Sequence, residues 1–264
     1  MFREIKKEFK IISLSTYYAI QREMLNKASF LSNVFFMILN NLSMIIQWIV
    51  LFNLKSNIAG FEFKDILLMW GMAAGTYGFA HFLFEKAFSL SSLIVDGSLD
   101  NYLVQPKNVL LSAISSQIGV SALGDLIFAY IMLILTGVTL PKFLLFTLFI
   151  VTGGIINLSI AIISGSFSFW FKNSDIIEET SSHLMISFAT YPGGIFKGIV
   201  RVILYTFIPV GFVTFLPVEL LLNFDLKLML ILIAVSILFI TLATFMFYRG
   251  LRRYSSSNLM IARI

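Results

Sequence analysis

Residues 228–248 read LMLILIAVSILFITLATFMFY, and none of these side chains carries a charge. The hydrocarbon core of a membrane is about 30 Å thick, and roughly 20 helical residues cross it. Because peptide groups inside it must be hydrogen-bonded locally, such a stretch crosses as a helix. Other apolar runs of roughly 20–30 residues precede this one and begin near Ala28, Ile66, Val109, Phe143, Ile176 and Val200. The sequence therefore predicts an all-α, polytopic integral membrane protein with a single domain over residues 1–264.

The composition agrees with this fold class. Hydrophobic residues make up 58% of the 264 residues and charged residues only 12%, whereas soluble domains carry about 25% charged residues. The chain contains no cysteine, which excludes disulfides, thiolate nucleophiles and cysteine-ligated metals. The net charge of +5 is explained by basic residues that hold the topology on the cytoplasmic side. We therefore expect membrane lipid and no nucleic acid as a partner.

Basic residues are concentrated at both ends of the chain. Residues 1–27 combine them with apolar residues at roughly helical spacing, which is typical of an amphipathic helix in the headgroup layer; a plain basic anchor is the alternative. The tail, residues 249–264, is also basic. Both termini are therefore expected in the cytoplasm, on a multi-pass protein of the plasma membrane. This requires an even number of crossings, so one of the seven runs turns back.

The run from Val200 to Leu222 is the one expected to turn back, because it contains Pro209 and Pro217. Proline removes a backbone donor and interrupts a helix. We expect residues 197–224 to form a re-entrant hairpin on the outer side, which leaves six transmembrane helices. Irregular backbone at membrane depth is tolerated where it lines a cavity. This predicts an outer gate that includes Tyr191 and Pro192 just before the hairpin; a hairpin that only seals the protein against lipid is the alternative.

Catalytic motifs are missing from the sequence. It has no Walker sequence and no His-Glu-x-x-His pair, the motifs of phosphate-binding loops and zinc proteases. A Glu178-Glu179 pair resembles part of an intramembrane protease motif, but the expected arginine is replaced by His183. The chain is therefore predicted to have no catalytic, metal or cofactor site.

Several polar residues lie inside the apolar runs. Asp125 is well within the third run, and His81 and Glu85 are one helical turn apart at the end of the second. Such residues either form interhelical hydrogen bonds, worth about 0.6 kcal/mol on average, or mark a transport pathway. Both interpretations stay open for Asp125; hydrogen bonding is the expected role of Asn40, Asn41 and Gln47.

The segment between the second and third runs, residues 85–108, is amphipathic. Asp96-Gly97 within it is typical of a turn or helix cap, and Pro106 interrupts it. On the cytoplasmic side it predicts a short helix with one face available to a partner. A loop helix packed on lipid is the alternative.

This segment carries a resemblance to a known family. The pattern Gly97-x-Leu99-Asp100-x-Tyr102-Leu103-x-x-Pro106-x-Asn108-x-Leu110 resembles the first cytoplasmic loop of ABC-2-type permeases, in a subgroup long listed as a domain of unknown function. Matches continue in order along nearly the whole chain, at Phe169-Trp170-Phe171, Tyr191-Pro192, Phe196, Pro209, Phe215-x-Pro217 and Gly250-Leu251-Arg252-Arg253-Tyr254-x-Ser256-x-Asn258.

The resemblance implies the permease subunit of an ATP-binding-cassette exporter. Such a permease has six spans, an interfacial helix, a coupling helix and an outer hairpin, and works as a dimer with a second permease, related or identical. Two copies of a separate ATPase bind ATP and Mg²⁺, so this chain needs no cofactor. The implied coupling residues are an apolar set for a groove on the ATPase, two acids at its rim and the turn glycine: Phe88, Leu90, Leu93, Ile94, Leu99, Asp96, Asp100 and Gly97.

Two other functional classes are compatible with a polytopic membrane protein. One is a secondary transporter or channel driven by an ion gradient, and the other is a membrane anchor that only assembles other subunits. No internal repeat of the kind common in secondary transporters is evident, and buried charges are few. The sequence does not indicate the substrate: drugs, peptides, lipids and glycans all remain open.

Overall fold

The computed structural model describes residues 2–58, 60–171 and 174–255, and these residues form helices and connecting turns without a β-strand. The helices are, in chain order, α1 (Phe2–Glu23), α2 (Lys27–Leu54), α3 (Phe63–Phe84), α4 (Leu90–Val95), α5 (Asp100–Leu103), α6 (Val109–Ile114), α7 (Val120–Leu135), α8 (Leu140–Ser166), α9 (Asp175–Ala189), α10 (Gly198–Thr206), α11 (Leu216–Leu222) and α12 (Leu226–Leu251).

Within the described residues, four helical segments are long and apolar enough to cross a membrane. They are Ile12–Leu54, Phe63–Val95, Leu140–Phe169 and Leu226–Leu251. Helices α7 and α9 are shorter, with 16 and 15 residues, than the roughly 20 residues that a hydrocarbon core requires. The all-helical membrane fold is confirmed, while the number of six spans stays a prediction.

The sequence predicts one continuous helix for the third apolar run, but the structure divides this run into two helices. The helix that begins at Val109 ends at Ile114, and α7 begins only at Val120. Between them the backbone N–H of Gly119 donates to the carbonyl of His81 at 3.1 Å. A Cβ on Gly119 would lie 2.5 Å from a Glu85 carboxylate oxygen. The chain bends here because the glycine lets it pack directly against the end of α3.

The run after Val200 is bent, as its prolines predicted. Helix α10 meets the segment Gly211–Leu222 at an angle of 80°, and Pro209 lies in the break. Pro217 does not break the helix, because it lies inside the helical segment Gly211–Leu222, which continues through it. A π-helical turn, Gly211–Phe215, precedes it. The expectation that both prolines interrupt the helix was therefore wrong for Pro217; the re-entrant path stays a prediction.

Two hydrophobic clusters mark the two ends of the bundle. One contains the buried residues of the α4–α6 segment together with Ile162 of α8 and Phe247 of α12. The other contains Val210 and Val213 of the bent segment with Ile66 of α3. The α4–α6 segment and the bent segment therefore lie at opposite ends of the molecule.

Small residues allow the central helices α3, α7 and α8 to pack closely, as is usual between membrane helices. A Cβ on Gly75 would lie 2.6 Å from the Ile150 Cδ1 atom of α8. A Cβ on Gly71 would lie 2.9 Å from the Met132 Cβ atom of α7. Helix α2 packs on α7, and α9 and α12 pack on α8, so α2 and α9 lie at the outside of this central group.

Candidate functional site

A cavity of about 640 Å³ lies among α2, α3, α7, α8 and α9. Its exposed lining residues are on α2, on α9 and at the turn after α9; they are Asn40, Met44, Gln47, Leu51, Ile186, Ser187 and Tyr191. The lining residues on α3, α7 and α8 are buried or half-buried. The cavity therefore opens sideways, between α2 and α9, and the central helices form its floor.

The lining combines aromatic rings with uncharged polar groups. The aromatic residues are Trp48, Trp70, Tyr77, Phe88 and Tyr191, and the side-chain amides are Asn40, Asn41, Gln47 and Asn157. Among the described residues that line it, Asp125 is the only one that can carry a charge at neutral pH. Such mixtures of apolar surface and a few polar groups are typical of small-molecule sites.

Asp125 is buried, with 4% of its surface exposed. The Asn41 side-chain amide donates to its Oδ1 atom at 2.6 Å, and also to the Met37 carbonyl of its own helix at 3.2 Å. The other carboxylate oxygen, Oδ2, is buried without a hydrogen-bond partner in the described part of the chain. The acid is thus held by one helix and retains one oxygen for a further partner.

Two glycines bring Asp125 and Asn41 together. A Cβ on Gly124 would lie 2.6 Å from the Val34 carbonyl oxygen of α2. A Cβ on Gly78 of α3 would lie 3.0 Å from the Asp125 Cβ atom. Only glycine permits α7 to approach both neighbours this closely, and this approach sets the short amide–carboxylate distance.

The expected neighbours His81 and Glu85 are in hydrogen-bond contact, with 2.8 Å between His81 Nδ1 and Glu85 Oε2. The imidazole ring lies between two aromatic rings, with centroid distances of 3.9 Å to Tyr77 and 3.6 Å to Phe88. Both rings line the cavity, but His81 and Glu85 do not. The pair therefore packs behind the wall near the α4–α6 segment.

The apolar residues assigned to an ATPase groove face the interior of this chain, so the structure does not favour that assignment, which stays a prediction. Leu90, Leu93, Ile94 and Leu99 are all less than 9% exposed. They pack in the same cluster as Phe247. Phe88 is half-buried and lines the cavity instead. The helical spacing identified a buried face correctly, but α8 and α12 cover that face.

Other residues of the same segment are exposed. Val95, Leu103 and Val104 are 47%, 39% and 84% exposed, and Asp96 is exposed beside them. We call these four residues the exposed coupling surface. Sequence reasoning missed its apolar members, although Leu103 and Val104 directly precede the interruption at Pro106.

The turn expected at Asp96-Gly97 is confirmed. Gly97 has a φ of +73°, in the left-handed region that favours glycine. The turn allows the backbone N–H of Leu99 to donate to the Leu93 carbonyl at 3.0 Å. Asp100 is half-buried. The pKa of the Tyr254 hydroxyl is raised, first by the burial of Tyr254 and second by the nearby Asp100 carboxylate. Asp100 therefore interacts with Tyr254, just after α12, whereas Asp96 is exposed.

Glu178 is a functional candidate that sequence reasoning missed, because it was considered only as part of a protease motif. It is 4% exposed. Its two carboxylate oxygens accept the backbone N–H groups of Leu90 at 2.9 Å and Ser91 at 3.1 Å. A Cβ on Gly165 would lie 2.7 Å from the same carboxylate. Helix α9 is thus joined at its start to the start of α4, and it lines the cavity farther along.

The four residues expected at an outer gate differ in their position relative to the cavity. Tyr191 lines it, and its ring stands edge-to-face on Trp48 at a centroid distance of 6.3 Å. Pro192, Pro209 and Pro217 are buried and do not line the cavity. The structure therefore brings one of the four residues to the cavity, and their role as a gate stays a prediction.

Comparison with known families agrees with this architecture. A model of the family described as ABC-2 family transporter protein matches residues 37–258, more than half of the chain. Neither the curated proteins nor the solved structures gave a match. The matched region contains the cavity, the exposed coupling surface and the bent segment. The chain therefore belongs to the ABC-2 family of transporter proteins and is a membrane permease of the ABC-transporter type.

Proposed function

We propose that this permease is the membrane subunit of an ATP-driven exporter and works with a separate ABC ATPase. The observation that supports this most directly is the position of α9. Its first turn bonds to α4 through Glu178, and residues from Ser182 onward line the cavity. A force on the α4–α6 segment therefore has a direct path to the cavity wall.

The ATPase binds at the exposed coupling surface. Val95, Leu103 and Val104 present apolar side chains at one end of the bundle. The basic residues near both ends of the sequence support a cytoplasmic position for this surface, where an ATPase has access to ATP and Mg²⁺. This chain supplies the docking surface, and the partner supplies the catalytic residues.

A second permease covers the open side of the cavity. Asn40 and Gln47 are exposed on α2, within a membrane helix. Polar side chains in a membrane normally face protein or a water-filled cavity rather than lipid. A second copy, or a related permease, that packs across α2 and α9 encloses these amides and joins two half-cavities into one path, with one ATPase under each half.

The transport cycle follows from these contacts. ATP closes the ATPase dimer, and the two α4–α6 segments move with it. Each segment pulls the first turn of α9 through Glu178, which changes the width of the cavity mouth between α2 and α9. On the outer side the bent segment and Tyr191 open or close the exit. In this proposal the permease has six spans in the plasma membrane and both termini in the cytoplasm. The α4–α6 segment then faces the cytoplasm, and the bent segment faces the outside.

Affinity purification of the permease from native membranes tests the proposal. We expect an ABC ATPase to co-purify in near-equal amount. Val95→Glu should reduce this recovery, because it places a charge in an apolar contact. Val138→Glu is the matched control, since Val138 has the same exposed fraction, 47%, in the turn between α7 and α8 at the opposite end. A permease that purifies alone and moves substrate with an ion gradient would instead support a secondary transporter.

A further inference from the structure

We propose that the cavity binds a lipophilic organic cation and that Asp125 recognises its charge. This rests on the proposed function only in treating the cavity as part of the transport path. The chemistry of the site comes from the lining residues themselves. Binding to the permease can be measured separately from ATPase recruitment and from transport.

The first argument is the unfilled hydrogen-bonding capacity of Asp125. One carboxylate oxygen is occupied by Asn41, and the other is buried without a partner among the described residues. No lysine, arginine or histidine is among the residues described as lining the cavity. A buried charge without a partner is strongly unfavourable, so the carboxylate needs a counter-charge when it is ionised. A ligand cation supplies it.

The second argument is the aromatic lining. Trp48, Trp70 and Tyr77 line the cavity, and aromatic rings of this kind attract organic cations and also provide apolar surface. A compact, strongly hydrated cation gains little from such walls, whereas a cation surrounded by apolar groups gains from both the rings and the carboxylate. The volume of about 640 Å³ is within the range of about 300–1,000 Å³ that ligand sites occupy.

The third argument is that Asp125 is held in place by closely packed helices. Gly78 and Gly124 fix the spacing of α7 to its neighbours, and the Asn41 amide fixes the carboxylate. Binding at a carboxylate that is already oriented costs less conformational entropy than binding at a mobile one. If Asp125 served only to accept the hydrogen bond from Asn41, its second carboxylate oxygen would have no function.

Equilibrium dialysis of tetraphenylphosphonium against the purified full-length permease, in the complex with which it co-purifies and without nucleotide, tests the inference. Tetraphenylborate serves as the anion of matched size and shape. We expect saturable binding of the cation and not of the anion. Asp125→Asn should weaken cation binding at least about tenfold, or about 1.4 kcal/mol, because Asn keeps an oxygen for Asn41 but carries no charge. Asp225→Asn, at the exposed start of α12, is the matched control and should bind as the wild type does.

A second variant keeps the test independent of the fold around Asp125. Gln47 lines the cavity mouth and is not packed in the interior of this chain, so Gln47→Lys should leave the fold around Asp125 intact, weaken binding of the cation and strengthen binding of the anion. Equal binding of both ions, wild-type affinity in Asp125→Asn, or no saturable cation binding by the wild type would each overturn the inference. If the ATPase still co-purifies in such a case, the proposed function stands and only the substrate class is refuted.

Discussion

The Glu178 side chain holds the start of α4 in place through its 2.9 Å hydrogen bond from the Leu90 backbone N–H, with a second bond from Ser91. The two contacts join parts of the chain that are 87 and 88 positions apart. A carboxylate at a helix N-terminus satisfies backbone donors that have no partner within the helix. Because α9 continues from Glu178 to the cavity wall, we propose that motion of the coupling segment reaches the cavity through this contact.

Glu178→Gln should uncouple the two ends of the permease. The glutamine keeps one acceptor oxygen and places an N–H₂ group against the other backbone donor, which removes one hydrogen bond to a charged group, worth about 1.5–3 kcal/mol. We expect the ATPase to bind normally while transport per ATP hydrolysed falls severalfold. Glu179→Gln, at the exposed neighbouring position, is the matched control. Equal transport ratios in the two variants would show that the contact is not used in coupling.

Burial distinguishes Leu93 from Val95, two positions apart on the same helix. Leu93→Glu places an unpaired carboxylate in a closed hydrophobic cluster, which costs several kcal/mol, so this permease should unfold at a clearly lower temperature. Val95→Glu should retain the wild-type unfolding temperature and lose ATPase binding. Thermal unfolding in detergent and co-purification measure the two effects. A stable Leu93→Glu permease that fails only to bind the ATPase would return the coupling role to the buried face.

The two prolines of the bent segment should differ in effect. Pro209 lies in the break between α10 and the following turn, so Pro209→Ala removes the local obstacle to a continuous helix, where an interior proline costs about 3 kcal/mol. Pro217→Ala should leave the bend unchanged, because Pro217 lies inside the continuous helical segment Gly211–Leu222 that follows the bend. Export by the two variants is the measurement: we expect it to fall in Pro209→Ala alone. Equal losses would mean that the bend is not the feature that matters.

Single cysteines test the sidedness of the bundle, and the absence of native cysteine leaves no background labelling. With six spans, an impermeant thiol reagent added outside should label cysteine at Ser56 and Asn223. Cysteine at Asn101 or Arg252 should react only after the membrane is permeabilised. All four positions are exposed. Outside labelling at position 252 but not at 101 would mean that the bent segment crosses the membrane.

The features that sequence could predict are those set by local chemistry. The run 228–248 lies within α12, Gly97 forms a turn, and Pro209 coincides with a sharp bend. The causes are the length of the apolar run, the backbone freedom of glycine and the missing N–H of proline, and each of them acts within a short stretch of sequence. The features it could not predict depend on tertiary neighbours. The apolar spacing of Leu90 to Leu99 identified a buried face without indicating that α8 and α12 cover it.

The candidate site shows the same division. The cost of burying polar groups in a membrane identified Asp125 and Asn41 as notable residues, but not as partners across α2 and α7. Their contact depends on the close approach that Gly124 permits. Glu178 was overlooked because its function depends on backbone groups of Leu90 and Ser91, which carry no signal in a sequence.

Cross-linking across the cavity mouth tests most directly whether ATP acts on the transport path. Cysteines replace Gln47 on α2 and Ser187 on α9, both exposed at the mouth, and a short bifunctional thiol reagent is applied to the permease–ATPase complex with and without ATP. We predict that ATP changes the yield of the cross-link within one chain, and that Glu178→Gln abolishes this change while Glu179→Gln preserves it. Equal yields with and without ATP in the wild-type complex would contradict the proposed mechanism.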